Sequence, residues 1–214
     1  MVMKSSLALA GALLIAAPTL AQSNIDPVNK HAWGENLGWT NWRDADAGAQ
    51  GVVVGLNFLS GFAWAENVGW INFGDGSPAA GGAYGNVDGS DFGVNVLFDS
   101  SLDGLAWGEN IGWINFGTTP AIGAQGARVQ GGRLRGFAWA ENAGWINLDL
   151  TGATRFVELN CPADFNNDGV VNGADLATLL VNWNGIGGLP DLNGDGVING
   201  ADLANLLVNW GPCP

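Results

Sequence analysis

The sequence predicts a mainly β repeat array of short three-stranded repeats, closed as a small propeller or barrel or left as an open stack, and followed by a small α-helical domain. Three observations lead there. The phrase GFAWAENVGWINFG at 61–74 recurs as GLAWGENIGWINFG at 104–117 and GFAWAENAGWINLD at 136–149, with a shorter copy, AWGENLGWTNW, at 32–42. Such self-similarity is the signature of a repeat architecture. Around the copies Gly and Trp dominate and turn residues punctuate short β-favouring runs, the pattern of an all-β chain. Beyond Asn160 the apolar period becomes helical, and an oxygen-rich twelve-residue stretch occurs twice.

Residues 1–21 read as a signal peptide. Lys4 supplies the positive start, Leu7 to Ala17 an apolar run too short to span a bilayer, and Thr19-Leu20-Ala21 a small-residue cleavage site before Gln22. A membrane anchor is the alternative, against which Pro18 and the lack of a second apolar segment argue. The mature chain is then expected to be secreted or extracytoplasmic, in a periplasm or at a cell surface, without a transmembrane segment. The whole sequence carries a formal charge of -13, and losing Lys4 makes it more acidic still, so nucleic acid is not an expected partner.

The β-repeat domain is placed at 22–160. A full repeat reads as an opening strand such as Val52 to Leu56, a second such as Leu59 to Trp64, and a third such as Gly69 to Phe73. Equivalent runs lie at Val94 to Phe98, Leu102 to Trp107, Ala127 to Gln130 and Leu134 to Trp139. The Glu-Asn-x-Gly stretch forms the hairpin turn, while Gly61, Gly104 and Gly136 mark a bend or a close backbone approach inside the second strand. The first copy lacks an opening strand, because residues 22–31 are polar and contain Pro27, whereas Thr154 to Leu159 is a β-like run left over at the end. Pairing the spare run beside the first copy would close the array and hide two sheet edges.

Nine of the eleven Trp fall in the four copies, and the simplest expectation makes them core filling. The competing one makes one Trp per copy a solvent-facing platform for sugar rings, aided by the adjacent Glu and Asn. Glu35, Glu66, Glu109 and Glu141 recur in register. A glycoside hydrolase would need two carboxylates facing one bond, but fourfold recurrence suits a turn or a contact between repeats better. His31 is the sole histidine and no nucleophile motif accompanies it, so no catalytic residue is assigned.

Residues 161–214 contain six Asp and no Lys or Arg. Cys161 and Cys213 bracket them, and two cysteines in an exported chain read as one disulfide, with free thiols or a metal pair as the alternatives. A bridge closing a loop of about 53 residues would stabilise the fold by about 4 kcal/mol on the chain-entropy model. The duplicated segments are DFNNDGVVNGAD at 164–175 and DLNGDGVINGAD at 191–202. Oxygen side chains occupy loop positions one, three, five, nine and twelve, with Gly at six: Asp164, Asn166, Asp168, Gly169, Asn172, Asp175, then Asp191, Asn193, Asp195, Gly196, Asn199, Asp202. With the carbonyls of Val170 and Val197 at position seven, these are two candidate Ca²⁺ cages of hard oxygen ligands. Each loop leads into an apolar face, Leu176, Leu179, Leu180 and Trp183 matching Leu203, Leu206, Leu207 and Trp210, and the two faces are expected to pack together. Asp at position twelve in place of Glu points away from a calmodulin-like switch.

The duplicated D-x-N-x-D-G-x-x-N-x-x-D-L-x-x-L-L pattern resembles a dockerin, the calcium-dependent module that attaches exported proteins to cohesin domains. The resemblance covers residues 161–214 and implies two calcium ions on the ligands just named, with a cohesin-like protein or surface scaffold as partner. Positions ten and eleven, often hydroxyl-bearing in dockerins, are Gly173-Ala174 and Gly200-Ala201 here, a departure that bears on the partner and not on the metal. The repeat array resembles Trp-rich β-repeat regions of exported bacterial proteins, with no activity attached. The expected function is therefore non-catalytic docking of the repeat module onto a partner, linked to polysaccharide catabolism. The alternatives are a carbohydrate-binding component of a polysaccharide-degrading system or a glycoside hydrolase.

Overall fold

A computed structural model describes residues 23–118, 126–150 and 155–213. The signal segment 1–21 and Thr154 lie outside them. The first copy forms β1 (Ile25–Gly34) and β2 (Gly38–Asn41). The second adds a small hairpin, β3 (Val53–Val54) and β4 (Leu59–Ser60), before β5 (Phe62–Ala65) and β6 (Gly69–Asn72). The third comprises β7 (Val94–Val96), β8 (Leu102–Gly108) and β9 (Gly112–Asn115), and the fourth β10 (Arg128–Gln130), β11 (Arg133–Arg135), β12 (Phe137–Ala140) and β13 (Gly144–Asn147). After β14 (Asp149–Leu150) and β15 (Arg155–Leu159), the remaining residues carry β16 (Val170–Val171), α1 (Gly173–Val181), α2 (Gly200–Val208) and β17 (Gly211–Pro212).

Each copy contributes one hairpin, and the hairpins join antiparallel in the order β1-β2-β5-β6-β8-β9-β12-β13, with β13 returning to β1. The result is a closed eight-stranded barrel of up-and-down topology, which removes sheet edges from this ring. The Glu-Asn-x-Gly turns lie at one end, where Gly38, Gly69, Gly112 and Gly144 all take positive φ. At the other end the chain bends at Gly61, Gly104 and Gly136, again with positive φ, and a second layer of strands begins. A Cβ on Gly61 would stand 2.4 Å from the Gly51 carbonyl oxygen, and one on Gly104 the same distance from that of Gly93. Close backbone approach thus requires glycine there.

The spare run does pair beside the first copy: β15 lies against β1, with Ile25 opposite Leu159 and Lys30 opposite Val157. The first copy is less deficient than expected, because residues 25–31 are strand despite Pro27. The register between β1 and β15 shifts between Ile25 and Lys30. Such an irregularity accommodates the missing proline donor.

The Trp expectation is corrected. Period-two alternation puts Ala32, Ala63, Ala106 and Ala138 inside with Thr40, Ile71, Ile114 and Ile146, all buried, and therefore sends the eight Trp of the A-W and G-W positions outward. Trp33, Trp64, Trp107 and Trp145 are exposed by 37%, 44%, 40% and 38%. The lumen of an eight-stranded barrel is only wide enough for side chains to fill it. One Ala and one Ile or Thr per copy suit that space, and paired indoles would not. Trp42 is the exception, fully buried with Phe73, Phe116 and Leu148. These four occupy equivalent places in the copies and plug the barrel beneath the second layer, with Trp42 4.5 Å from Phe73 and Phe73 5.8 Å from Phe116 between ring centroids.

Residues 161–213 pack at that second-layer end. Asn24 Nδ2 donates to Asn167 Oδ1 at 2.7 Å, Gln130 Nε2 to the Gly194 carbonyl at 2.9 Å and Gly188 N to Ser100 Oγ at 2.5 Å. The Cys161–Cys213 disulfide is formed. The two apolar faces are narrower than expected: Leu179 and Leu206 are fully buried, whereas Leu180, Leu207, Trp183 and Trp210 are exposed. Both helices stop at Asn182 and Asn209, which act as C-caps. The Trp residues therefore lie beyond the last helical turn and off its face. No helix among the described residues is long and apolar enough to cross a membrane.

Candidate functional site

The Trp residues sit on the outer wall near the hairpin end, and strand register gives each a defined neighbour. Within a hairpin Trp33 faces Trp39, Trp64 faces Trp70, Trp107 faces Trp113 and Trp139 faces Trp145. Across the joint between copies, the first Trp faces the Asn that ends the preceding G-W-x-N strand: Asn41 opposite Trp64, Asn72 opposite Trp107, Asn115 opposite Trp139 and Asn147 opposite Trp33. Directly opposed residues on one face have Cβ atoms about 4.5–5.5 Å apart, so every Trp pair carries an amide beside it. Asn72, Asn115 and Asn147 each use Oδ1 to accept the amide two residues on, from Gly74, Gly117 and Asp149. That bond turns the side-chain oxygen into the turn. It leaves those three Nδ2 donors beside the Trp rings, whereas Asn41 accepts from Arg43 N and Asp44 N and donates its Nδ2 to Asp44 Oδ2 at 3.1 Å.

In three copies the two indoles meet edge to face, at 5.2 Å for Trp64 and Trp70, 4.8 Å for Trp107 and Trp113, and 4.9 Å for Trp139 and Trp145. A further aromatic ring closes on the second Trp: Phe62 on Trp70, Phe92 on Trp113 and Phe137 on Trp145. Such edge-to-face pairs fix ring orientation. In the first copy Trp39 instead meets the edge of His31 at 6.4 Å and lies beneath the Arg155 guanidinium at 5.1 Å.

The recurring Glu and Asn of the turns join one copy to the next. Glu66, Glu109 and Glu141 donate their backbone N–H to the carbonyls of Trp39, Trp70 and Trp113. Asn110 Nδ2 donates to the Val68 carbonyl, Asn142 to that of Ile111 and Asn36 to that of Ala143. In the remaining joint the Asn67 backbone N–H donates to the Leu37 carbonyl. The Glu side chains are exposed at this rim, and Glu66 Oε2 accepts from Trp39 N at 3.3 Å. Fourfold recurrence here serves repeat-to-repeat bonding.

The two oxygen-rich loops have matching internal geometry. Asp164 accepts from the amides of Asp168 and Gly169, and Asp191 from those of Gly194, Asp195 and Gly196. Gly169 and Gly196 both take positive φ, as the sharp bend of such a loop requires. Asp175 accepts from Phe165 N and Asn172 N, and Asp202 from Asn193 N and Asn199 N. Asn172 with Asp175 and Asn199 with Asp202 form capping boxes at the N-termini of α1 and α2. Positions nine and twelve therefore also have a helix-starting role.

The donor set fits a hard divalent cation. Asp175 and Asp202 are wholly buried carboxylates and Asp164 and Asp191 nearly so, in a stretch without any Lys, Arg or His. Burial first, then the charges of Asp202 and Asp195, push the Asp191 carboxyl above its usual range. Asn166 Nδ2 lies on Asp168 Oδ2 and Asn172 Nδ2 on the Val170 carbonyl, with Asn193 and Asn199 doing the same in the second loop. Those amides cover the acceptors a cation would take, while their Oδ1 atoms accept from the backbone amides of Asp168, Ala174, Asp195 and Ala201. Cys161, Asp164 and Cys213 also converge within 4.8 Å, but both sulfurs belong to the disulfide and the group is no metal site.

No protein-family model, curated protein or solved structure matches this chain.

Proposed function

We propose that this chain is an exported, non-catalytic carbohydrate-binding protein whose barrel presents Trp-Asn platforms to polysaccharide. Its C-terminal segment, dockerin-like and calcium-binding on this reading, attaches the barrel to a cohesin-like or surface partner. The observation that carries it is the outward indole with a cross-strand Asn beside it at each joint between copies, its Nδ2 donor left open at Asn72, Asn115 and Asn147. The C–H face of a pyranose stacks on an indole, and its hydroxyls accept from an amide N–H. Amphipathic aromatics suit such half-wet surfaces, and the exposed indoles Trp33, Trp64, Trp107 and Trp145 recur once per copy, as a repeated binding surface requires.

On the same reading Asp164, Asn166, Asp168, the Val170 carbonyl, Asn172 and Asp175 would hold one calcium ion, and Asp191, Asn193, Asp195, the Val197 carbonyl, Asn199 and Asp202 a second. The ions would supply positive charge among six carboxylates. The residues themselves bend the loops and start both helices. Pure docking without sugar binding is the second reading, favoured by Val181 and Val208, exposed at equivalent places at the ends of α1 and α2.

Affinity electrophoresis through gels containing soluble glucans, xylans or pectins separates the two. Trp64→Ala and Trp107→Ala should each restore mobility in the gel that retards the parent, with circular dichroism unchanged. A parent retarded by none of these polymers would leave the docking reading alone.

A further inference from the structure

Beside the joint where β13 returns to β1, the second-layer strand β15 runs along the start of β1. A surface cavity of about 260 Å³ opens there, lined by Val28, Asn29, His31, Arg155 and Phe156, the first three from β1 and the last two from β15. Arg155 reaches it from far along the sequence, and its guanidinium covers the face of Trp39. Trp33, on the neighbouring strand opposite Trp39, stays open to solvent.

Charge at this joint is one-sided in availability. Among the described residues the ion pairs are Lys30 with Asp44, Arg133 with Glu158 and Arg135 with Asp149. Glu158 also accepts from Asn29 Nδ2, so the carboxylates of Asp44 and Glu158 are already engaged while Arg155 is in no ion pair. Burial, then the positive charges of Arg155 and Lys30, hold the His31 imidazole below its ordinary range against the opposing pull of Asp44 and Glu66. A chain of net charge -13 thus keeps a guanidinium that covers an indole face and, among the described residues, is in no ion pair, beside its only imidazole and next to an open indole.

We infer that this cavity is an anion subsite, in which the Arg155 guanidinium and a His31 ring N–H receive the carboxylate or sulfate of an acidic sugar whose neighbouring ring lies on Trp33. The inference rests on the platform reading proposed above and adds the ligand class at one of its four joints. Arg155 is suited to the task because its planar fork matches both anions. At the other joints the residues equivalent to His31 are Phe62, Leu105 and Phe137, so the neutral part of the ligand has four places and the anion has one.

The test uses the mature full-length protein with calcium present, titrated with three hexasaccharides and followed by tryptophan fluorescence and calorimetry. The probes are a galacturonic acid oligomer, a sulfated galactan oligomer and neutral cellohexaose. At least one acidic probe should bind roughly tenfold more tightly than cellohexaose, the scale of one charged hydrogen bond. Which of the two acidic probes does so identifies the source of the anion. Arg155→Gln and His31→Gln should each bring the affinity for that acidic probe toward the affinity the same variant has for cellohexaose. In the unaltered protein the same probe should shift the His31 imidazole signals in an NMR titration, a readout independent of variant folding. Acidic probes no tighter than cellohexaose, or a preference that survives Arg155→Gln, would overturn the anion subsite and leave the platforms standing. If none of the three binds, platform and subsite fail together.

Discussion

The barrel and the C-terminal segment reach order by opposite routes. The barrel closes on an interior of Ala and Ile with one Thr, seals one end with Trp42, Phe73, Phe116 and Leu148, and needs little charge to hold it. The C-terminal segment buries one Leu per helix at full depth, carries six carboxylates without a basic residue, and relies on a disulfide and on loops built around acidic oxygens. The difference teaches where each region keeps its large side chains. In the barrel they are mostly outside, because the inside is too narrow, whereas in the C-terminal segment the surface available for burial is too small to take them.

That contrast is easiest to break inside the barrel. Phe73→Ala should cost about 3–5 kcal/mol in chemical denaturation, the usual range for a buried aromatic truncated to Ala. Trp107→Ala, which removes a half-exposed ring and one edge-to-face contact, should cost about 1 kcal/mol. Equal losses at the two positions would put the indoles back in the core.

Calcium sharpens the comparison next. If the two loops hold calcium as proposed, a ligand that binds only the folded form at about 100 times its Kd adds roughly 2.7 kcal/mol per site, and chelation should remove it from the C-terminal segment. Helical circular dichroism and amide protection of Leu179 and Leu206 should fall. The bonds from Asn24 to Asn167 and from Gln130 to Gly194 predict that protection of the second-layer strands falls too, while the hairpin end stays as it was. Calorimetry showing no calcium uptake would remove the loops from the account.

The smallest expected effect is at the closing joint. Because the folded pKa of His31 lies below its ordinary 6.5, the unfolded chain binds the proton more readily. Stability contributed by this group should therefore be complete above 6.5 and fall as pH drops from there through the folded pKa. Arg155→Gln removes one of the charges responsible and should move the His31 titration upward in NMR. A titration unmoved by that change would assign the shift to burial and Lys30 alone.

Much of the fold was legible because glycine and alternation carry geometric content. Gly61, Gly104 and Gly136 announced the bends, and the leftover run 154–159 pointed to a partner beside the first copy, where 155–159 does pair with β1, while the ring itself closes through β13. What alternation cannot say is which of two faces turns inward. A-W-A and G-W-I-N assign Ala and Ile to one side and Trp to the other, and only the bore of an eight-stranded barrel decides between them. The loop residues of the C-terminal segment were readable one by one, since their spacing is local. Arg155 beside His31 and Trp39 was not, because those residues meet only through ring closure across more than a hundred positions of sequence.

The bonds along the hairpin rim, from Asn36, Asn110 and Asn142 to the carbonyls of Ala143, Val68 and Ile111, bear on how such a chain can change its copy number. Each copy extends a hand to the one before it, and the first reaches back to the last. Duplicating a unit by recombination would widen the ring to ten strands, and the small interior side chains that fill this bore would leave a hole down the middle. Deleting a unit would crowd Ile71, Ile114 and Ile146 into less room than they occupy. The length of the array is therefore coupled to the volume of its own interior, and an added copy would call for larger residues at the Ala positions to fill it.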